Sequence, residues 1–130
     1  MKKSIFSAVI ATVLAVTLAA CSTPGAKQIV LRTATGENPV LTVGDRANIV
    51  GELDLSDTKV KNFDILVEEQ APGGSWTEFR KIKARLGSTS VGFALVKTEA
   101  GEYKYRATLS GKDYGPFVSS VLTIKYEAKK

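Results

Sequence analysis

The sequence predicts an all-β domain, an antiparallel sandwich of about seven or eight short strands. Three observations carry that expectation. From Gln28 onward apolar side chains recur at alternate positions, the period of a strand with one wet and one buried face. Turn residues rich in Gly, Pro, Asn and Asp interrupt this pattern roughly every eight to fifteen positions. Past an N-terminal apolar run, about 110 residues remain, enough for one domain and too few for two.

Gln28 to Thr33 is the first expected strand, closed by the turn Ala34-Thr35-Gly36-Glu37-Asn38-Pro39. Val40 to Val43 is a short second segment that ends at Gly44-Asp45. Arg46 to Leu53 sets Ala47, Ile49, Gly51 and Leu53 on one face, with Arg46, Asn48 and Glu52 on the other. After the loop Asp54-Leu55-Ser56-Asp57-Thr58, the segment Val60 to Glu68 turns Phe63, Ile65 and Val67 inward. Gln70-Ala71-Pro72-Gly73-Gly74-Ser75 is the strongest turn in the chain, because Pro fixes φ and Gly tolerates positive φ. Trp76 to Leu86 resumes as a strand although Trp76, Phe79 and Ile82 fall at every third position. The β-rich neighbours and the interleaved Arg80, Lys81 and Lys83 favour a bulged edge strand over a helix. Ser88 to Lys97 places Val91, Phe93 and Leu95 inward, and Glu102 to Ser110 places Tyr103, Tyr105, Ala107 and Leu109 inward. Gly111 to Pro116 is expected as a hairpin loop, Phe117 to Tyr126 as the last strand with Leu122, Ile124 and Tyr126 on the core side, and Glu127 to Lys130 as a charged tail.

The N-terminus has a different grammar. Met1-Lys2-Lys3 is a positive start, and the uncharged run from Ile5 to Leu18 is shorter than the ~20 residues of a spanning helix. Small residues then precede the chain's single cysteine. Leu18-Ala19-Ala20-Cys21 resembles the lipobox of bacterial lipoproteins. The resemblance implies cleavage of residues 1–20 as a signal peptide, a diacylglycerol thioether on Cys21, commonly a palmitate-type acyl group on its new amine, and membrane anchoring in the cell envelope. An ordinary secretory signal with a chance cysteine is the alternative. Residues 21–27 would be the lipidated Cys and a short tether, which at ~3.3–3.6 Å per residue reaches only about 20 Å. Ser22 after the cysteine goes with the outer membrane in a Gram-negative owner; a Gram-positive owner would hold the protein on the outer face of its cytoplasmic membrane.

The domain itself, about Leu41 to Tyr126, resembles cysteine-free bacterial Ig-like and fibronectin type III-like modules. Gly73-Gly74-Ser75-Trp76, Gly92-Phe93 and Gly101-Glu102-Tyr103-Lys104-Tyr105-Arg106-Ala107 carry the resemblance. It implies an Ig-like β-sandwich without a disulfide, with Tyr103 as the corner tyrosine, Tyr105 where antibody-type domains have their second cysteine, and Trp76 packed over the sandwich edge. Phe63 or Ile65 stands where the hallmark Trp of the third strand would be. Such a likeness informs on fold and says little of function.

Composition removes whole classes of chemistry. The chain has no histidine, which excludes Ser-His-Asp and Cys-His catalysis and His-based zinc sites. Lipidation would consume the only thiol, and no P-loop spacing surrounds Gly111-Lys112. Asp54 and Asp57 share a loop while Glu68, Glu69 and Glu78 flank a turn; a weak calcium site, a carboxylate pair and solvated strand-end acids all fit those residues. The formal charge of +5 falls to +3 without Lys2 and Lys3, too sparse for a nucleic-acid binder. Candidate binding residues are Tyr114, next to a loop and so the more exposed aromatic, and the basic strip Arg80, Lys81, Lys83 and Arg85. The expectation is a membrane-anchored binding or structural module of the cell envelope, not an enzyme and without cofactor or metal, most simply a protein-protein module; a carbohydrate- or envelope-polymer-binding module is the alternative.

Overall fold

Alternation becomes pairing in the computed structural model, which describes residues 25–34 and 39–129. The expectations about the signal segment, Cys21, the start of the tether and the turn around Gly36 therefore lie outside the described residues. Among the described residues nine strands follow one another: β1 (Ile29–Thr33), β2 (Val40–Thr42), β3 (Arg46–Leu53), β4 (Asn62–Gln70), β5 (Trp76–Arg85), β6 (Ser90–Val96), β7 (Gly101–Gly111), β8 (Tyr114–Val118) and β9 (Leu122–Glu127). They form two sheets. The smaller has the order β1-β3-β6, and the larger the order β2-β9-β7-β4-β5, with β8 also beside β7. The described residues are thus all-β and sandwich-like. Between the sheets lie Ile29, Ile49, Phe63, Ile65, Val67, Tyr105, Ala107, Leu109, Ile124 and Tyr126, all but withdrawn from solvent. Each comes from the apolar parity of its strand.

Two expected elements are drawn differently. The hairpin loop over Gly111 to Pro116 contracts to a turn at Lys112-Asp113, where Asp113 takes φ +54°, and β8 already begins at Tyr114. The single last strand from Phe117 to Tyr126 is broken in two. β8 and β9 run along the same side of β7, one pairing Thr108 and Leu109, the other Gly101 to Tyr105. The break is fixed by Ser119, fully buried between them: its amide donates to the Ala107 carbonyl at 2.8 Å, and its Oγ accepts from the Ala107 amide at 2.9 Å. A serine that satisfies a backbone group in place of the ladder marks an interruption that hydropathy alone does not show.

The bulge in β5 explains its three-residue spacing. Val67 pairs with Arg80, but the next residue, Glu68, pairs with Glu78, so Phe79 is the extra residue. That slip turns Phe79 to the core side with Ile82 and Ala84 and leaves Arg80 exposed. β2 lies parallel to β9, Leu41 opposite Tyr126, and the pair is closed by the Val43 amide on the Glu127 carbonyl (2.9 Å) and the Lys125 amide on the Pro39 carbonyl (3.2 Å). Tyr103 donates to the Glu99 carbonyl at 2.8 Å, the geometry of a tyrosine corner, and Tyr126 donates to the Asp45 carbonyl at 2.8 Å.

Candidate functional site

The exposed face of the larger sheet is built by register. Lys83 of β5 lies opposite Asp64 of β4, which lies opposite Ser110 of β7; one step on, Lys81, Leu66 and Thr108 form the next row. These side chains line a shallow open cleft. By alternation Arg85 shares their face, opposite Asn62, whereas Arg80 sits at the bulge with its guanidinium 5.4 Å from the Phe79 ring centre. The basic strip is therefore divided in direction. It is also divided in charge: Lys83 Nζ is 2.8 Å from Asp64 Oδ1, and Lys81 makes only a 3.9 Å contact with Glu78. Among the described residues, Arg80 and Arg85 enter no ion pair.

Further along the same face stands Trp76, half-buried, with the Arg106 guanidinium 4.2 Å from its ring centre. Glu68 Oε1 holds that guanidinium by accepting from Nε at 2.9 Å. One face of the indole is thus already covered.

Tyr114 departs from its expected place as an exposed aromatic. Its ring packs edge-on against Phe63 and Phe117, with centroids 5.7 and 4.8 Å away, and its hydroxyl donates to Asp57 Oδ1 at 2.5 Å. The short turn at Lys112-Asp113 draws Tyr114 back over the sandwich end. Desolvation and the bond to Asp57 push the phenol pKa up. The bonds from Tyr114 and from Gln28 Nε2 (3.2 Å) hold the Asp57 carboxyl below its usual range. Asp54 is lowered likewise, first by the Ser56 hydroxyl, which donates to it at 2.6 Å. Among the described residues no group of three or more His, Cys, Asp or Glu side chains converges as metal ligands.

One cluster was missed by the sequence reading. Glu69 Oε2 accepts from the Tyr105 hydroxyl at 2.6 Å and lies 2.6 Å from Lys97 Nζ, with both charged side chains largely shielded from water. The ammonium also lies 5.0 Å from the Tyr103 ring centre and 5.6 Å from that of Phe79. Burial, followed by the bond to Glu69, drives the Tyr105 pKa far upward. A signal was present. Glu69 continues the inward parity of Phe63, Ile65 and Val67, and Lys97 continues that of Val91, Phe93 and Leu95, so two opposite charges occupy core-facing positions at the ends of strands in different sheets. The cluster ties the sheets together and presents no open coordination or nucleophile.

No family model and no curated protein matches this chain. Solved structures do, in number: 321 chains match, so the architecture is widely shared and by itself selects no activity. One is the crystal structure of the CARDB domain of a Pyrococcus furiosus protein, described as in complex with di-metal ions. It is 16% identical, with a TM-score of 0.56 over 78% of this chain and 94% of that one. At that identity the likeness speaks for fold alone, and on that ground this chain is a β-sandwich domain of the same general kind.

Proposed function

We propose that the protein is a lipid-anchored module of the cell envelope that works by presenting its β-sandwich to another protein rather than by catalysis. The observation that carries this reading is the register of four features at the N-terminus: positive start, apolar run, small residues and the chain's single cysteine in Leu18-Ala19-Ala20-Cys21. The sandwich supports it from the other side. Its carboxylates at Asp54, Asp57, Glu68 and Glu69 are each engaged in structural bonds. The di-metal binding of the CARDB domain has no counterpart to build on, because the described acidic side chains do not converge. Sugar binding loses its intended platforms, since Tyr114 is packed and bonded and Trp76 is stacked by Arg106.

The anchor is tested in cells fed radiolabelled palmitate. Cys21→Ala should abolish labelling and normal processing, because no other residue can form the thioether; persistent labelling would end the lipoprotein reading.

A further inference from the structure

The edge of the smaller sheet is formed by β6. Among the described residues β6 pairs with β3 only, in an unbroken register from Arg46 opposite Val96 to Glu52 opposite Ser90. The Leu53 amide donates to the Thr89 carbonyl and the Gly44 amide to the Lys97 carbonyl. Odd-numbered residues of β6 therefore turn their backbone groups towards β3, and Ser90, Gly92, Ala94 and Val96 turn theirs to the open side. The side chains of these four are small and lie on the outer face, so nothing bulky stands where a new strand would approach. The strand carries no charge, no proline and no bulge, the usual guards of a free edge.

Beside that edge stands an exposed guanidinium that enters no ion pair among the described residues. Phe79 of β5 lies 5.9 Å from Phe93 of β6, centre to centre, so the free edges of the two sheets border the same side of the sandwich. Arg80 lies over Phe79 at this seam, while Lys81, Lys83 and Arg85 follow along β5 on the outer face of the larger sheet. A second copy of the chain paired through β6 would bring a second such guanidinium to the seam. An extended acidic segment would meet the guanidinium with opposite charge.

We propose that β6 takes an extended, acidic segment of a partner protein by strand addition, its backbone bonded to Ser90, Gly92, Ala94 and Val96 and an acidic side chain turned towards Arg80 at the seam. This rests on the reading of the domain as a protein-binding module, though not on its lipid anchor.

The test uses the purified full chain in detergent and two labelled peptides, one alternating Val and Glu, the other alternating Val and Lys. The acidic peptide should bind, raise hydrogen-exchange protection at the Gly92 and Ala94 amides, and be much the tighter of the two. Gly92→Pro removes a donor that the fold itself does not use and should abolish binding. Arg80→Glu should turn the preference towards the lysine peptide, a gain that a misfolded variant could not give. Equal binding of both peptides, binding indifferent to Gly92→Pro, no binding, or self-association through β6 would each overturn the proposal. Photo-cross-linkers placed in cells at Ala94 and at Thr123, which lies on β9 of the larger sheet opposite Lys104, separate this failure from that of the module reading: a partner caught at Thr123 alone sinks the edge assignment, and no partner at either position sinks the module reading as well.

Discussion

Among the described residues β5 and β6 are the free edges on one side of the same sandwich, and they solve opposite problems. β5 is ten residues long, broken in phase by the Phe79 bulge and carrying Arg80, Lys81, Lys83 and Arg85. β6 is seven residues long, regular and uncharged. The first edge repels another strand by shape and charge; the second leaves its hydrogen-bonding groups in line. The difference teaches that edge protection is a property of each strand and not of the fold.

The bulge is the costliest feature of that contrast to remove. Phe79 touches Phe93 and Tyr105, with centroids 5.9 and 5.6 Å away, so Phe79→Ala should lower stability by about 2–4 kcal/mol in a denaturant titration. A loss under about 0.5 kcal/mol would mean that the bulge is not anchored in the core and that the two edges differ in charge alone.

Beneath the bulge, Tyr105→Phe should cost about 1–3 kcal/mol, because Glu69 loses its phenol donor and keeps only Lys97. This substitution also changes the alkaline limb. Tyr105, Tyr114 and Tyr126 all have pKa values raised on folding, each first by burial. Their contribution is complete below the unfolded phenol value of about 10 and is lost as pH rises towards the folded values. Thermal melts of the native protein should therefore fall steeply above about pH 10, and less steeply for Tyr105→Phe. Amide exchange in that range should open β5 before β6; the reverse order would break the comparison.

The smallest stability effect belongs to the strip itself. Lys81→Ala with Lys83→Ala removes two exposed contacts and should change stability by no more than about 0.5 kcal/mol. Its signature should be aggregation on prolonged incubation, read by light scattering, as a guarded edge becomes an unguarded one. A double variant as soluble as the native chain would show that the bulge suffices.

Much of this was legible in the residues. Period two located the strands because each buries one face, and Arg46 to Leu53 has the bounds of β3 because both flanks are turns. The bulge in β5 was legible as a conflict between three-residue spacing and β-rich surroundings. The division of the last strand was not, because Ser119 acts through two bonds to Ala107, a partner twelve residues away. Tyr114 was misplaced for a related reason: its position depends on a two-residue turn and on Asp57, fifty-seven residues earlier, and hydropathy carries no information about either. The Glu69 and Lys97 pair could have been found, since charge at core parity has to be compensated somewhere in the fold.

The parallel pairing of β2 with β9 bears on how the domain takes a load. β2 lies on the path from the N-terminal side and β9 on the path to the C-terminal side, and the two point the same way. Tension along the chain, with the N-terminal end held and the C-terminal end drawn off, pulls them in opposite directions along their common axis. The bonds from Lys125 to Pro39 and from Val43 to Glu127 are then strained side by side and must yield together, unlike those of a hairpin opened from its end, which break in succession. A domain pulled in this way resists extension where β2 and β9 meet, a pair in which Leu41 lies beside Tyr126 and packs against the core.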